Sequence, residues 1–559
     1  RDYTAVLAED GKEEKTVLKA WSNLSFQEIF QVKFHGTFFV ETRDGERLAT
    51  DVYLPIREAG ENVGKVPAVL VRTPYGKGNH AEMYYRFVQR GYAVVIQDTR
   101  GREDSTGRWQ PNYYEVEDGD DTLNWIAAQD WSDGQAAMTG GSYLGYVQWA
   151  AAASGNPHLK AMLSSVCAGS AFADLPRRGG CFTSGMLAWA FAMSEQRMRE
   201  DLMCREDWDD VLDLRPLETI PEKALGREIP FLTEWLKHED MDEFWKKSSW
   251  KERYSGAPVP ALIMSGWFDD NGMGTTEALD LVRDWPEGTW KAILGPWKHS
   301  GNAEYDLHGI PMGEDALRYD IDLICMMWLE HFLKGVENGI EKNPKVLYYT
   351  LGENRWKTAE TWPPQCVKIQ RMDLHSEKNS YVYDPDCPAT HIIDMSENEL
   401  EVPEDYTEEE KREDYLVYST EVLKEPVTVT GDLQVHLFVS CDCPDTDFVF
   451  RLLDVDENGK SVKLADGVIS AKYREGFEHP VYMEAGNIYE IPLRTTKISN
   501  TFLPGHRIRF TVTSSAKNFI FPNSNTEKGF NSEKRQKAHI TVHQEGEFCS
   551  YVELPIEQK

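Results

Sequence analysis

Met138-Thr139-Gly140-Gly141-Ser142-Tyr143-Leu144-Gly145 is the stretch whose reading decides the fold. An apolar, strand-like run at 136–139 leads into it and a helical run at 147–153 follows. A chain that turns abruptly from strand to helix forces its apex residue into a strained conformation, and small neighbours let the two elements pack. A serine at that apex holds its hydroxyl clear of the sheet, beside a helix N-terminus that favours negative charge. Taken alone, the turn has a second reading, in which Ser142 only caps the helix.

The rhythm on either side of this turn gives the fold class. Residues 38–55 alternate apolar and polar around Asp44-Gly45, a hairpin signal. Short apolar runs then recur at 66–72, 92–98, 136–139, 160–166, 260–266 and 289–295, with helical stretches such as 81–90 and 116–129 between them. Strands alternating with helices predict a mainly parallel sheet covered on both faces, an α/β fold. The alternation stops over 171–250, a stretch rich in Leu, Met, Trp, Glu and Arg that reads as an inserted helical cap. A strong helix is expected over 315–334, ending at Gly335. From about 345 alternating runs return, at 346–351, 415–422, 433–439, 448–455, 488–493, 508–513 and 538–542. They predict an antiparallel sandwich of jelly-roll type. The expected organisation is a discontinuous α/β domain at 1–170 and 251–344, a helical cap at 171–250 and a jelly-roll β-sandwich at 345–559. The acidic stretch 396–414, with Glu397, Glu399, Glu401, Glu404, Asp405, Glu408, Glu409 and Glu410, is expected to be a solvated loop.

Composition narrows the partners. The 559 residues are 41% hydrophobic and include 17 Trp, enough for large cores. Sixty Lys and Arg stand against 93 Asp and Glu, a net charge of −33 that repels phosphate backbones and anionic membranes, so neither nucleic acid nor membrane is an expected partner. No run approaches the roughly 20 apolar residues that span a bilayer. Nine scattered cysteines suit free thiols in a reducing cytoplasm, and no charged-then-apolar leader is legible from Arg1 onward.

A serine hydroxyl needs a base to accept its proton and a carboxylate to orient that base. In the strand–turn–helix hydrolases the acid follows the serine and the histidine comes last. Met264-Ser265-Gly266-Trp267-Phe268-Asp269-Asp270 and Gly295-Pro296-Trp297-Lys298-His299-Ser300 both follow predicted strands, so their polar groups meet at the carboxyl edge of a parallel sheet. Spacing does not choose between Asp269 and Asp270. The oxyanion formed on a carbonyl needs donors: one is the backbone N–H of Tyr143, and Tyr75, in the loop Arg72-Thr73-Pro74-Tyr75-Gly76-Lys77, offers its hydroxyl or simply packs on the sheet edge. Trp189 and Phe191 in the cap, with Trp267 and Phe268 beside the acid, are candidate acyl-pocket residues, and core packing is the favoured role for the first two. Asp454-x-Asp456-x-Asn458-Gly459 imitates half a calcium loop, but Ala465 stands where a bidentate Glu is required, so a hairpin turn is expected and no metal site is proposed.

With these pieces in order, the sequence resembles the CocE/NonD hydrolases, the group of cocaine esterase and the X-Pro dipeptidyl-peptidases. The matching motifs are Arg72-Thr73-Pro74-Tyr75, the run 91–101 from Gly91 to Gly101, Gly140-Gly141-Ser142-Tyr143-Leu144-Gly145, Gly266-Trp267-Phe268-Asp269, Gly295–Ser300, Asp445-Thr446-Asp447-Phe448 and the run 502–508. The resemblance implies Ser142 as nucleophile, His299 as base, Asp269 rather than Asp270 as its orienter, and Tyr75 with the Tyr143 N–H as oxyanion donors, with no cofactor. Gly145 stands one place later than in the general hydrolase elbow, a feature this group shares. Asp270, Asn271 and Gly272 match only in part the extra carboxylates with which related α-amino acid ester hydrolases hold an ammonium. The expected activity is cleavage of a small acyl ester through an acyl-enzyme. The alternatives are an X-Pro dipeptidyl-peptidase or α-amino acid ester or amide acylase acting on a short peptide or amide, and, from another class, a non-catalytic carbohydrate-binding protein. Oligomeric state is left open, a homodimer included.

Overall fold

The computed structural model describes residues 28–342, 344–393, 395 and 401–558. The start of the chain, read above as leader-free, lies outside the described residues, as do Glu397 and Glu399.

The apolar runs assemble into one ten-stranded sheet in the order Gln31–Glu41, Arg47–Ile56, Ala93–Asp98, Val66–Thr73, Ser132–Gly141, Leu159–Ser165, Ala261–Phe268, Trp290–Lys298, Val346–Thr350 and Arg355–Ala359. Neighbours from Ala93–Asp98 to Val346–Thr350 pair parallel, and antiparallel strands close both ends. Val66–Thr73, Ala93–Asp98 and Ala261–Phe268 are buried along their whole length, because helices cover both faces and leave no side for polar residues. Helices Glu115–Ala127 and Tyr143–Ala153 fill one face, and Ile321–Lys334 fills the other. The last of these begins at Ile321 rather than at 315, since Arg318 clasps Asp320 with two hydrogen bonds just before it, and it ends at Gly335 with φ 67°. From Val66–Thr73 the chain first runs outward to Ala93–Asp98 and then returns to the other side at Ser132–Gly141, so a crevice opens where these strands diverge.

Between Leu159–Ser165 and Ala261–Phe268 lie six short α-helices, from Ser184–Ala192 to Trp250–Arg253. The purely helical cap is corrected in one respect: a hairpin of Arg177–Arg178 and Cys181–Phe182 precedes the helices. Its turn abuts the sandwich, where a Cβ on Gly179 would lie 1.9 Å from the Val468 carbonyl oxygen.

The C-terminal region forms antiparallel sheets of eight and four strands. The run at 346–351 does not open this sandwich as expected. Val346–Thr350 pairs parallel with Trp290–Lys298 and extends the first sheet, a choice made by strand partners that alternation cannot reveal. The turn after Asp447–Val455 is the expected hairpin, with Asp456 accepting from the backbone N–H groups of Asn458 and Lys460.

The acidic stretch is also corrected. Glu401 is buried against Arg178 of the cap hairpin and Lys463 of the sandwich, and Glu410 against Arg509. Arg178 in turn donates to Asp174 at 3.2 Å and to the Asp270 carbonyl at 2.8 Å. Truncation in E401A would remove the carboxylate that bridges two buried cations, leaving Arg178 with Asp174 and Lys463 with Asp466 alone, so a loss of up to about 3 kcal/mol is expected, read as a lower urea midpoint for the full chain.

Candidate active site

Ser142 sits at φ 59°, ψ −121°, a conformation that side chains rarely adopt and that costs of order 1–3 kcal/mol. Its backbone is held from every side. Its N–H faces the carbonyls of Ser165 and Val166 at 3.1 and 3.0 Å, and its carbonyl accepts from Gly145, Tyr146 and Ala168. The displaced glycine of the motif has a packing cause: a Cβ on Gly145 would fall 2.7 Å from the Cys167 Cβ and 2.8 Å from its Cα. The helix after the serine therefore leans directly on the loop after the next strand.

Asp269 and His299 follow adjacent parallel strands. Gly295 pairs with Gly266 but Lys298 with Phe268, so the second strand carries one extra residue, which brings His299 level with Asp269. The strands cross closely there, since a Cβ on Gly266 would lie 2.0 Å from the Trp297 carbonyl oxygen. His299 Nδ1 donates to Asp269 Oδ1 at 2.7 Å. The Asp269 carboxylate, 1% exposed, also accepts from Ser265 Oγ at 2.6 Å and from the Asn271 N–H at 2.9 Å. Burial alone would raise the Asp269 carboxyl, but the hydrogen bond and charge of His299, with the bonds from Ser265 and Asn271, hold it below its usual range. Burial likewise opposes charge on His299, yet the hydrogen bond and charge of Asp269, then Asp270 and Asp174, raise the imidazole to about 9. With Nδ1–H committed to Asp269, Nε2 is the basic nitrogen.

Ser142, Tyr75, Tyr143, His299, Asp270 and Asn271 line one cavity of about 450 Å³. Burial raises the Tyr75 phenol, which keeps it a donor; its oxygen lies 3.4 Å from Trp189 Nε1, on the wall of the cavity it shares with Ser142. The Tyr143 hydroxyl points away from this role, donating to Glu115 at 2.6 Å, and Glu115 pairs with the buried Arg72. The Arg-x-Pro-Tyr loop and the serine turn are thus fastened to one buried ion pair.

Of the four pocket candidates, Trp189 lines the cavity. That corrects the core role favoured for Trp189, whereas Phe191, corrected as a pocket residue, takes the core role favoured for it, and Trp267 and Phe268 are corrected as pocket residues. Phe191 is fully buried against Trp208, Trp267 stacks on Trp362 and donates to the Tyr349 carbonyl, and Phe268 faces a separate cleft with Ile310, Met312 and Leu351. Trp235, Met186, Leu175 and Pro176 take their place, brought in by the cap. Asn271 has its Oδ1 3.5 Å from Ser142 Oγ and its Nδ2 3.2 Å from Asp174. Its one signal in the sequence is proximity to Asp269.

Residues 44–301 match the X-Pro dipeptidyl-peptidase (S15) family, and residues 338–553 match the X-Pro dipeptidyl-peptidase C-terminal non-catalytic domain. Cocaine esterase of Rhodococcus sp. (strain MB1 Bresler) is 34% identical, with 92% of this chain and 97% of that protein covered. Among solved structures, an aminopeptidase from a marine sediment Thaumarchaeota archaeon is 24% identical with TM-score 0.83, and an α-amino acid ester hydrolase is 22% identical with TM-score 0.82. Each covers 95% of this chain and 97% of its own, which shows a shared fold. Carried along nearly the whole of both chains, the likeness to cocaine esterase makes this chain a member of the CocE/NonD serine hydrolases.

Proposed function

We propose that Ser142, His299 and Asp269 form the catalytic triad of an esterase acting on small acyl esters. The observation that carries this reading is the 2.7 Å bond between His299 and a buried Asp269 in the cavity that also receives a serine at a strained strand–helix turn. Ser142 Oγ bonds to the ester carbonyl carbon as its proton passes to His299 Nε2. The oxyanion is met by the Tyr75 hydroxyl and the Tyr143 N–H. The imidazolium returns its proton to the departing alkoxide, leaving an acyl-enzyme. Water, deprotonated by the same Nε2, then attacks the acyl carbon and releases the acid and Ser142.

Trp189, Trp235, Met186, Leu175 and Pro176 give the cavity an apolar wall fit for an uncharged acyl group, and the similarity to cocaine esterase supports ester cleavage. Asp270 and Glu200 on the same cavity favour a second reading, an X-Pro dipeptidyl-peptidase whose substrate carries an ammonium. A complete set of triad side chains weighs against a purely carbohydrate-binding role. Nine free cysteines fit a reducing compartment, and we assign the cytoplasm. No helix among the described residues is long and apolar enough to cross a membrane.

Fluorophosphonate labelling is expected to vanish in S142A; a label that persists on another residue refutes the nucleophile. Turnover of a p-nitrophenyl ester should exceed that of an X-Pro anilide, and the reverse order selects the peptidase. Y75F removes one oxyanion donor and is expected to lower kcat by roughly 10²–10³ with KM little changed. The base acts only when neutral, and His299 is raised to about 9, so kcat/KM should climb from neutral pH toward 9. In D269N the anion that raises it is gone, so the limb moves to lower pH while kcat drops by about 10⁴ as the imidazole loses its orientation.

A further inference from the structure

The helix that follows the triad acid, Gly272–Val282, is gripped from outside its own domain. On its inner side it meets the loop after Leu159–Ser165 so closely that a Cβ on Gly274 would lie 2.2 Å from the Cys167 carbonyl oxygen and 2.3 Å from the Gly169 nitrogen. On its outer side the sandwich segment Arg494-Thr495-Thr496-Lys497 takes hold at two points. Arg494 pairs with Asp280 at 2.6 Å, near the helix C-terminus, and with Asp432 of its own sandwich at 2.6 Å. Lys497 Nζ donates to the Gly272 carbonyl at 2.7 Å and to Thr276 Oγ1 at 3.3 Å, at the helix N-terminus.

An ammonium is out of place there on two counts. Lys497 is 1% exposed, and burial disfavours its charge. The positive end of the helix dipole disfavours it again. The group that favours it most is the carboxylate of Asp269, and the Gly272 N–H in turn donates to the Asp269 carbonyl at 2.8 Å. We propose that Lys497 of the sandwich is a positioning residue of the triad: it fixes the Asp269–Gly272 turn through the Gly272 carbonyl, and its charge supports the buried Asp269 anion and disfavours premature protonation of His299. The sandwich is then a working part of the catalytic centre, although none of its described side chains lines the cavity that holds Ser142. The titratable groups whose charge acts on Lys497 are Asp269, Cys167 and Asp432, which favour its charge, and Arg494, which opposes it. Burial, against the pull of Asp269, pushes the Lys497 ammonium down to about 8, so its charge is present below that pH and lost above it.

The inference rests on the triad assigned above, and the two fail separately: persistent labelling of S142A refutes the triad, whereas the pH behaviour of Lys497 variants tests the lysine. In the full-length enzyme, K497Q keeps a donor for Gly272 and loses the charge. Without that cation His299 holds its proton more tightly, so kcat/KM for a p-nitrophenyl ester is expected to fall about tenfold at pH 7, the size of one pKa unit on the imidazole. The gap should narrow above pH 8, where the wild-type lysine is itself neutral. K497R keeps its charge at every pH, so its rate relative to wild type should rise above pH 8, and this variant decides the matter if K497Q does not fold. A ratio of variant to wild type that stays constant from pH 6 to 10 in either variant overturns the proposal, because a merely structural lysine would alter the amount of folded enzyme and not the pH profile.

Discussion

A buried carboxylate that must remain ionised is the constraint on which this structure depends. Asp269 is almost sealed from water, where an anion is costly unless donors and positive charge surround it. The chain supplies them from four places: Ser265 within the same strand, the Asn271 N–H in the turn that follows, His299 from the next strand, and Lys497 acting through the turn from the sandwich. The donors come from the strand of Asp269, the turn after it and the next strand, so the carboxylate that orients the His299 imidazole is itself held from several directions. The same constraint explains why the glycines of the two motifs lie where strands cross closely. Without the approach at Gly266 and the extra residue before His299, the carboxylate and imidazole would sit at different heights along the sheet.

The two added regions serve this site differently. The cap supplies the apolar wall, and its aromatic residues cluster: Trp189 stacks near Trp235, and both touch Phe231, so the wall is set by packing within the cap. The sandwich supplies anchorage. Glu401, itself paired with Lys463, holds Arg178, and Arg178 holds the Asp270 carbonyl and Asp174, which itself accepts from Asn271 beside Ser142. A continuous run of buried ion pairs and hydrogen bonds thus reaches from the second domain to Asn271, beside Ser142. Buried ion pairs are poor sources of net stability but strict about geometry, which suits a site that must hold three groups in register.

Much of this was legible before any coordinates. The serine turn, the parallel strands, the helical insertion and the β-rich C-terminal region each leave a local mark, because strand burial, helix periodicity and close-packed glycines constrain residue type directly. The errors fall where the mark is local but the outcome depends on a distant partner. The run at 346–351 alternates like a sandwich strand yet joins the first sheet, since a strand's pattern records that it has neighbours and not which ones. Glu401 reads as one more acid in a charged run, and becomes buried because Arg178 and Lys463 arrive from two other regions. Trp267 is aromatic and two residues from Asp269, but its side chain turns into the core, where it stacks on Trp362.

By itself the sequence determined which chemistry is available: a serine at a turn only small neighbours permit, and an acid and a histidine after strands that share a sheet. Tertiary structure alone decided that Trp235 and Met186 share a cavity with Ser142, and that a lysine more than two hundred residues from Asp269 in the chain bonds the Gly272 carbonyl in the turn after it. The physical reason is range. Conformational strain, hydrophobic burial and turn geometry act over a few residues and are written into the chain, whereas a charge in a low-dielectric interior acts on whatever folding brings near, and no local pattern records that.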